Sequence, residues 1–101
     1  MQKSKIKLLI ADDSSVFRQI LIDFFDESDD IEIIGVAENG ADAFKAIQTK
    51  LPDVVVLDIL MPIHDGLWVL EELQAHGLDK IVKPIVVTAI DSDNIAKKCY
   101  V

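Results

Sequence analysis

Apolar positions along this chain change their spacing several times, and each change marks an element. IKLLIA, residues 6 to 11, is a short apolar run closed by Asp12 and Asp13. The spacing then becomes helical: Val16, Phe17, Ile20, Leu21, Phe24 and Phe25 follow Ser14 and Ser15, either of which suits an N-cap, and predict a helix to about Glu27. IEIIGVA (31 to 37) reads as a second strand, and Asn39-Gly40 as a turn opening a helix through Ala41, Phe44 and Ile47. Pro52 precedes a third strand, DVVVLD. MPIHDG then supplies a loop, and a helix starting at Asp65 or Gly66 carries Leu67, Leu70 and Leu73 on one face and stops near Gly77. PIVVTAI is a fourth strand, after which Asp91 or Ser92 caps a final helix beginning with Ile95 and Ala96.

Strand and helix alternate, and the strands are apolar throughout, as in strands covered on both faces. Right-handed crossovers between such strands give a doubly wound parallel α/β sheet of the flavodoxin type, for which the expected order is 2-1-3-4. The working site of such a sheet lies beyond the carboxyl ends of its strands. Asp12, Asp13 and Asp58 stand at those ends.

Composition narrows the function. With 101 residues, half of them apolar, the chain is expected to form one domain with a real core. No apolar run approaches 18 residues and MQKSKIKLL lacks signal-peptide architecture, so a soluble cytoplasmic protein is expected. The single cysteine, Cys99, allows no internal disulfide, and no zinc spacing occurs. A net charge of −8 disfavours direct nucleic-acid binding and suits cations or basic partners.

Neighbouring strands 1 and 3, roughly 5 Å apart, bring Asp12, Asp13 and Asp58 to one rim. Three carboxylates there repel one another, and a divalent cation resolves the conflict; hard oxygen ligands make magnesium the natural choice. A carboxylate beside such an ion is also a nucleophile toward phosphorus. Thr88, ending strand 4, offers a hydroxyl donor. Singly these features are ordinary: an Asp pair often only caps a helix, a threonine is common in strands, and Asp65-Gly66 is a turn. His64 and His76 read as solvent-facing, Trp68 as a partly exposed residue off the leucine face, and Lys80, Lys83, Lys97 and Lys98 as solvated surface. The specificity lies in the combination.

LLIADDS, PDVVVLDILMPIHDGL and IVVTA, in this order and spacing, resemble the receiver domain of bacterial two-component response regulators, along the whole chain. IEIIGVAENG, MPIHDGLWVLEEL and the connection QAHGLDKIVK are most similar to the sporulation-regulator branch of that family. The resemblance implies that Asp58 accepts a phosphoryl group from a phosphohistidine on a histidine kinase or phosphotransferase. It further implies that Asp13 binds Mg2+ directly, Asp12 directly or through water, and Leu60 through its backbone carbonyl. Thr88 becomes the switch hydroxyl, while Met61-Pro62 and Gly66 shape the loop after the acceptor. Output in the family is usually dimerisation and altered DNA binding through a separate effector domain, with no turnover of an external substrate.

The family pattern continues with a fifth strand bearing a lysine that contacts the phosphoryl group, then a fifth helix, and both are expected to be missing here. Lys83-Pro84 precedes strand 4 and so lies at the wrong end of the sheet to substitute. The domain, residues 1 to 101, is accordingly expected to be incomplete at its C-terminus, with strand 4 and helix 4 exposed to homodimerisation. The competing reading is a phosphorylation-independent dimerisation module of the same fold. An aspartyl phosphatase of the dehalogenase kind needs a second acid two residues after the nucleophile, where Leu60 stands, and no glycine-rich phosphate loop is present.

Overall fold

The computed structural model describes residues 4–91 and 94–100, with side chains placed for residues 4–87. Each helix begins where a polar side chain meets the first unpaired backbone N–H groups. The Ser14 hydroxyl accepts from Phe17 N at 3.2 Å and opens α1 (Ser15–Asp26). Asn39 accepts from Asp42 N at 2.8 Å before α2 (Gly40–Lys50), and Asp65 from Trp68 N at 2.9 Å before α3 (Gly66–Ala75). Past α3, Gly77 takes a left-handed conformation, φ 70°, and a 3-10 turn (Leu78–Lys80) follows.

Between the helices run β1 (Ile6–Ala11), β2 (Ile31–Ala37), β3 (Val54–Asp58) and β4 (Lys83–Asp91), mutually parallel and in the expected order β2-β1-β3-β4. Alternation along the central strands sends side chains to two separate cores. Leu9, Ala11, Val55 and Leu57 pack with Ala43, Phe44 and Ile47 of α2 and Val69 and Leu73 of α3. On the opposite face, Leu8, Ile10, Val56 and Val87 meet Phe17, Leu21, Ile22 and Phe25 of α1.

Three expectations need correction. The final helix is absent: residues 94–100 form β5 (Asn94–Tyr100), antiparallel to β4, with Thr88 opposite Lys98. A seven-residue helix gains little by itself, whereas a strand here satisfies the outer backbone groups of β4. The expected parallel order of four strands stands, with this antiparallel strand added beside β4, so β4 is not the open edge on which the expected dimer contact rested. Second, the buried face of α3 is Gly66, Val69 and Leu73, while Leu67 is exposed, because the helix is rotated to let Gly66 sit against β3. Third, the apolar stripe of α1 is divided. Phe17, Leu21 and Phe25 face the sheet, but Val16, Ile20 and Phe24 are 70%, 56% and 69% exposed.

The loop after β3 is fastened to the amino end of α2. Gly40 N donates to the His64 carbonyl at 2.9 Å and Ala41 N to the Ile63 carbonyl at 3.1 Å, so two N–H groups that a helix start normally leaves to solvent are used to hold a loop. Ile63 and His64 adopt left-handed backbone conformations, φ 47° and 71°, to present those carbonyls. A Cβ at Gly40 would overlap the His64 carbonyl oxygen. Gly40→Ala is therefore expected to destabilise the domain by about 1–3 kcal/mol, the range for an added methyl in a filled space. A urea-denaturation midpoint equal to that of the unmodified chain would show that the fastening is not tight.

Candidate functional site

Asp58 is the last residue of β3, and the register Ala11–Leu57 between β1 and β3 puts Asp12 one step beyond β1 at the same level. Asp13 follows it into the turn before α1. A carboxylate oxygen from each of Asp12, Asp13 and Asp58 lies within 4.8 Å of the other two. The two inner acids are almost fully enclosed, Asp12 at 1% and Asp58 at 3% exposure, whereas Asp13 is exposed. The expected trio is thus assembled, two acids beneath and one at the mouth.

Local hydrogen bonds set the orientation of the buried pair. Ser14 N donates to Asp12 Oδ1 at 2.8 Å, and Asp12 N to the Ala37 carbonyl at 3.0 Å. Leu60 N donates to Asp58 Oδ1 at 3.2 Å, so Leu60, the residue expected to supply a carbonyl, starts beside the carboxylates. Ile59 N donates to the Val87 carbonyl at 3.1 Å, and Gly66 N to the Ile59 carbonyl at 2.9 Å. The segment after Asp58 is consequently tied to β4 on one side and to α3 on the other. A Cβ at Gly66 would stand 2.5 Å from the Asp58 carbonyl oxygen, the contact that requires glycine there.

Two like charges about 4 Å apart repel by about 4 kcal/mol at an effective dielectric near 20, so this arrangement favours a bound cation. Magnesium bonds to oxygen at about 2.1 Å, which places opposite ligands about 4.2 Å apart. A trio spread within 4.8 Å meets that requirement after side-chain shifts of less than about 1 Å, and its all-oxygen donors suit a hard ion. The residues fit the metal.

Thr88 is the residue after Val87, the register partner of Asp58, and its backbone lies at the same rim; its side chain lies outside the described residues. β4 continues to Asp91, so Thr88 is not the strand's last residue as expected. Cys99, Lys97 and Lys98 lie on β5, with side chains likewise outside the described set. His64 is exposed as expected, yet its ring stacks on Trp68 at 3.9 Å and 13°, and Trp68 meets Phe44 edge-on at 5.7 Å. His76 is exposed beside Glu72 at 4.0 Å. Neither histidine joins the acidic trio.

One contributor gave no signal in the sequence. Arg18 of α1 donates from Nη1 to the Asp12 carbonyl at 2.6 Å and from Nη2 to Glu38 Oε1 at 3.2 Å. An arginine on an amphipathic helix reads as solvated surface, and only the folded geometry turns it toward the acids' own backbone.

The family described as Response regulator receiver domain matches residues 8–101 of this chain. Among solved structures, the signal receiver domain of the putative response regulator NarL from Mycobacterium tuberculosis is 29% identical, with a TM-score of 0.82, and the match covers 89% of this chain and 71% of that one. A DNA-binding response regulator of the LuxR family from Staphylococcus aureus is 38% identical, with a TM-score of 0.78 and coverage of 85% and 70%. The response regulator domain of Thermotoga maritima CheB is 29% identical, with a TM-score of 0.76, and this chain spans 66% of its length. With its acidic rim, its parallel order β2-β1-β3-β4 and a family match over almost its whole length, the chain belongs to the response regulator receiver domain family.

Proposed function

We propose that this receiver takes a phosphoryl group onto Asp58 from a phosphohistidine on a histidine kinase or phosphotransferase. The observation that carries the reading is the convergence of Asp12, Asp13 and Asp58, with Asp58 held at the end of β3. Receiver domains act as phosphoacceptors that work with such kinases and bind Mg2+ at an acidic pocket, which supports it.

In the transfer, an Asp58 carboxylate oxygen attacks phosphorus in line with the P–N bond; the O–P bond forms as the P–N bond breaks, and the bonding pair leaves on the imidazole nitrogen. Asp13 and Asp58, Asp12 directly or through water, and the Leu60 carbonyl would hold Mg2+, which when bound would supply positive charge to the transferring oxygens. Leu60 N orients the Asp58 carboxylate for this attack, and Ser14 N holds Asp12 in place. The Thr88 hydroxyl is the switch group, in keeping with its backbone position one residue beyond the partner of Asp58. The new phosphoryl group brings about −1.5 to −2 charge and biases the β4 side between two arrangements.

The finer assignments are also proposals. The motifs IEIIGVAENG and MPIHDGLWVLEEL support a sporulation regulator acting in transcription. A charge of −8 supports DNA contact through a separate effector domain rather than through this one. A homodimer on the β4 side would now present β5 as its outer strand. No helix among the described residues is long and apolar enough to cross a membrane, and a cytoplasmic location accords with partnership to a kinase.

Incubation with Mg2+ and acetyl phosphate is expected to add one phosphoryl mass that hydroxylamine removes, and Asp58→Asn is expected to remove the adduct. An adduct of equal yield in Asp58→Asn would refute the assignment. Asp13→Asn is expected to weaken Mg2+ binding at least about tenfold by calorimetry, since ligand charge count sets affinity for hard cations. Unchanged affinity would place the ion elsewhere.

A further inference from the structure

The acidic dipeptide Asp12–Asp13 is gripped at its central peptide by the side chain of Arg18. Arg18 leaves the second turn of α1 and puts Nη1 2.6 Å from the carbonyl oxygen of Asp12. That carbonyl and the N–H of Asp13 share one planar peptide, so fixing the oxygen fixes the direction in which Asp13 leaves the strand. The other groups of Asp12 are held as well, its N–H by the Ala37 carbonyl and its Oδ1 by Ser14 N. Asp13 is the exposed member of the trio, and the orientation of its peptide therefore depends on the guanidinium more than on burial.

The second arm of the fork reaches Glu38, in the connection between β2 and α2, at 3.2 Å. The Arg18 side chain is only 13% exposed, whereas that of Glu38 is 72% exposed. An exposed partner contributes little binding energy by itself. Its role is geometric: it keeps the planar fork turned so that Nη1 meets the carbonyl. A lysine has no fork and reaches one acceptor at a time.

We propose that Arg18 is a positioning residue for the receiver site, setting the Asp12–Asp13 peptide so that the two carboxylates meet a shared cation with Asp58, with Glu38 steering the guanidinium. The inference rests on the metal-dependent phosphoacceptor reading above. Arg18 contacts the backbone of the acids rather than the transferring group, so its loss acts on cation affinity and leaves the rate at saturating cation nearly intact.

The test compares the unmodified chain with Arg18→Met, Arg18→Lys and Glu38→Gln, measuring Mg2+ affinity by calorimetry and acetyl phosphate labelling across a Mg2+ series, all well below each variant's melting temperature. Arg18→Met is expected to weaken Mg2+ binding about tenfold, the scale seen when groups that orient metal ligands are removed. Labelling of that variant at saturating Mg2+ should remain within about twofold of the unmodified chain. Arg18→Lys should recover part of the loss, and Glu38→Gln should show a smaller loss of the same kind. If Arg18→Met does not fold, the lysine and glutamine variants carry the comparison. Unchanged Mg2+ affinity in folded variants, with only a lower melting temperature, would reduce Arg18 to a brace and overturn the proposal. If the unmodified chain itself takes up neither Mg2+ nor phosphoryl, the site reading fails and this inference with it.

Discussion

Parallel pairing of β1 with β3 forces like charges together, and much of the domain's local structure is organised around that conflict. The register from Leu8–Val54 to Ala11–Leu57 brings Ala11 and Leu57 level, and the residue after each is an aspartate. Burying two carboxylates costs several kcal/mol unless donors and counter-charge are supplied. The donors are visible in Ser14 N and Leu60 N, each aimed at a carboxylate oxygen. A divalent cation at the trio would add counter-charge. A packing requirement alone would have put leucine or valine at position 58, as at positions 54 to 57.

The segment that follows Asp58 is held on several sides at once. Its first N–H joins β4, two of its carbonyls cap α2, its His64 ring lies on Trp68, and Gly66 passes against the Asp58 carbonyl. The left-handed Ile63 and His64 cost of order 1–3 kcal/mol each and persist because these contacts over-determine them. The opposite core is thinner. α1 has no fully buried residue, whereas α2 and α3 contribute Ala43, Phe44, Ile47, Val69 and Leu73. The site is therefore flanked by a well-buried α2–α3 side and by a helix that rests more lightly on the sheet.

The sequence made some of this legible because local chemistry decided it. Change of apolar spacing located the four parallel strands and three helices, and Ser14, Asn39 and Asp65 cap as their side chains dictate. The acidic trio followed from strand order, which topology rules restrict to few choices. What escaped depends on long-range geometry. Helix rotation exchanged Leu67 for Gly66 on the buried face, because backbone approach to Asp58 outweighed the burial of one leucine. NIAKKCY carries no decisive period and became a strand beside the outer groups of β4. Arg18 looked like any surface cation, since a carbonyl acceptor leaves no trace in side-chain patterns.

Under the proposed function, the same contacts define how phosphorylation of Asp58 would be transmitted. Asp58 is in register with Val87, and Ile59 N is bonded to the Val87 carbonyl, so the end of β3 and β4 stay paired through the site. A rotation of the Asp58 peptide under new charge must either strain that pairing or carry β4 with it. The α2–α3 side resists, because Gly40 and Gly66 leave no space into which the loop can retreat. The proposed displacement would thereby be directed toward β4 rather than into the core. Under that proposal the tight fastening of the loop would be part of the signalling device: a looser loop would absorb the charge locally and leave the far strand unmoved.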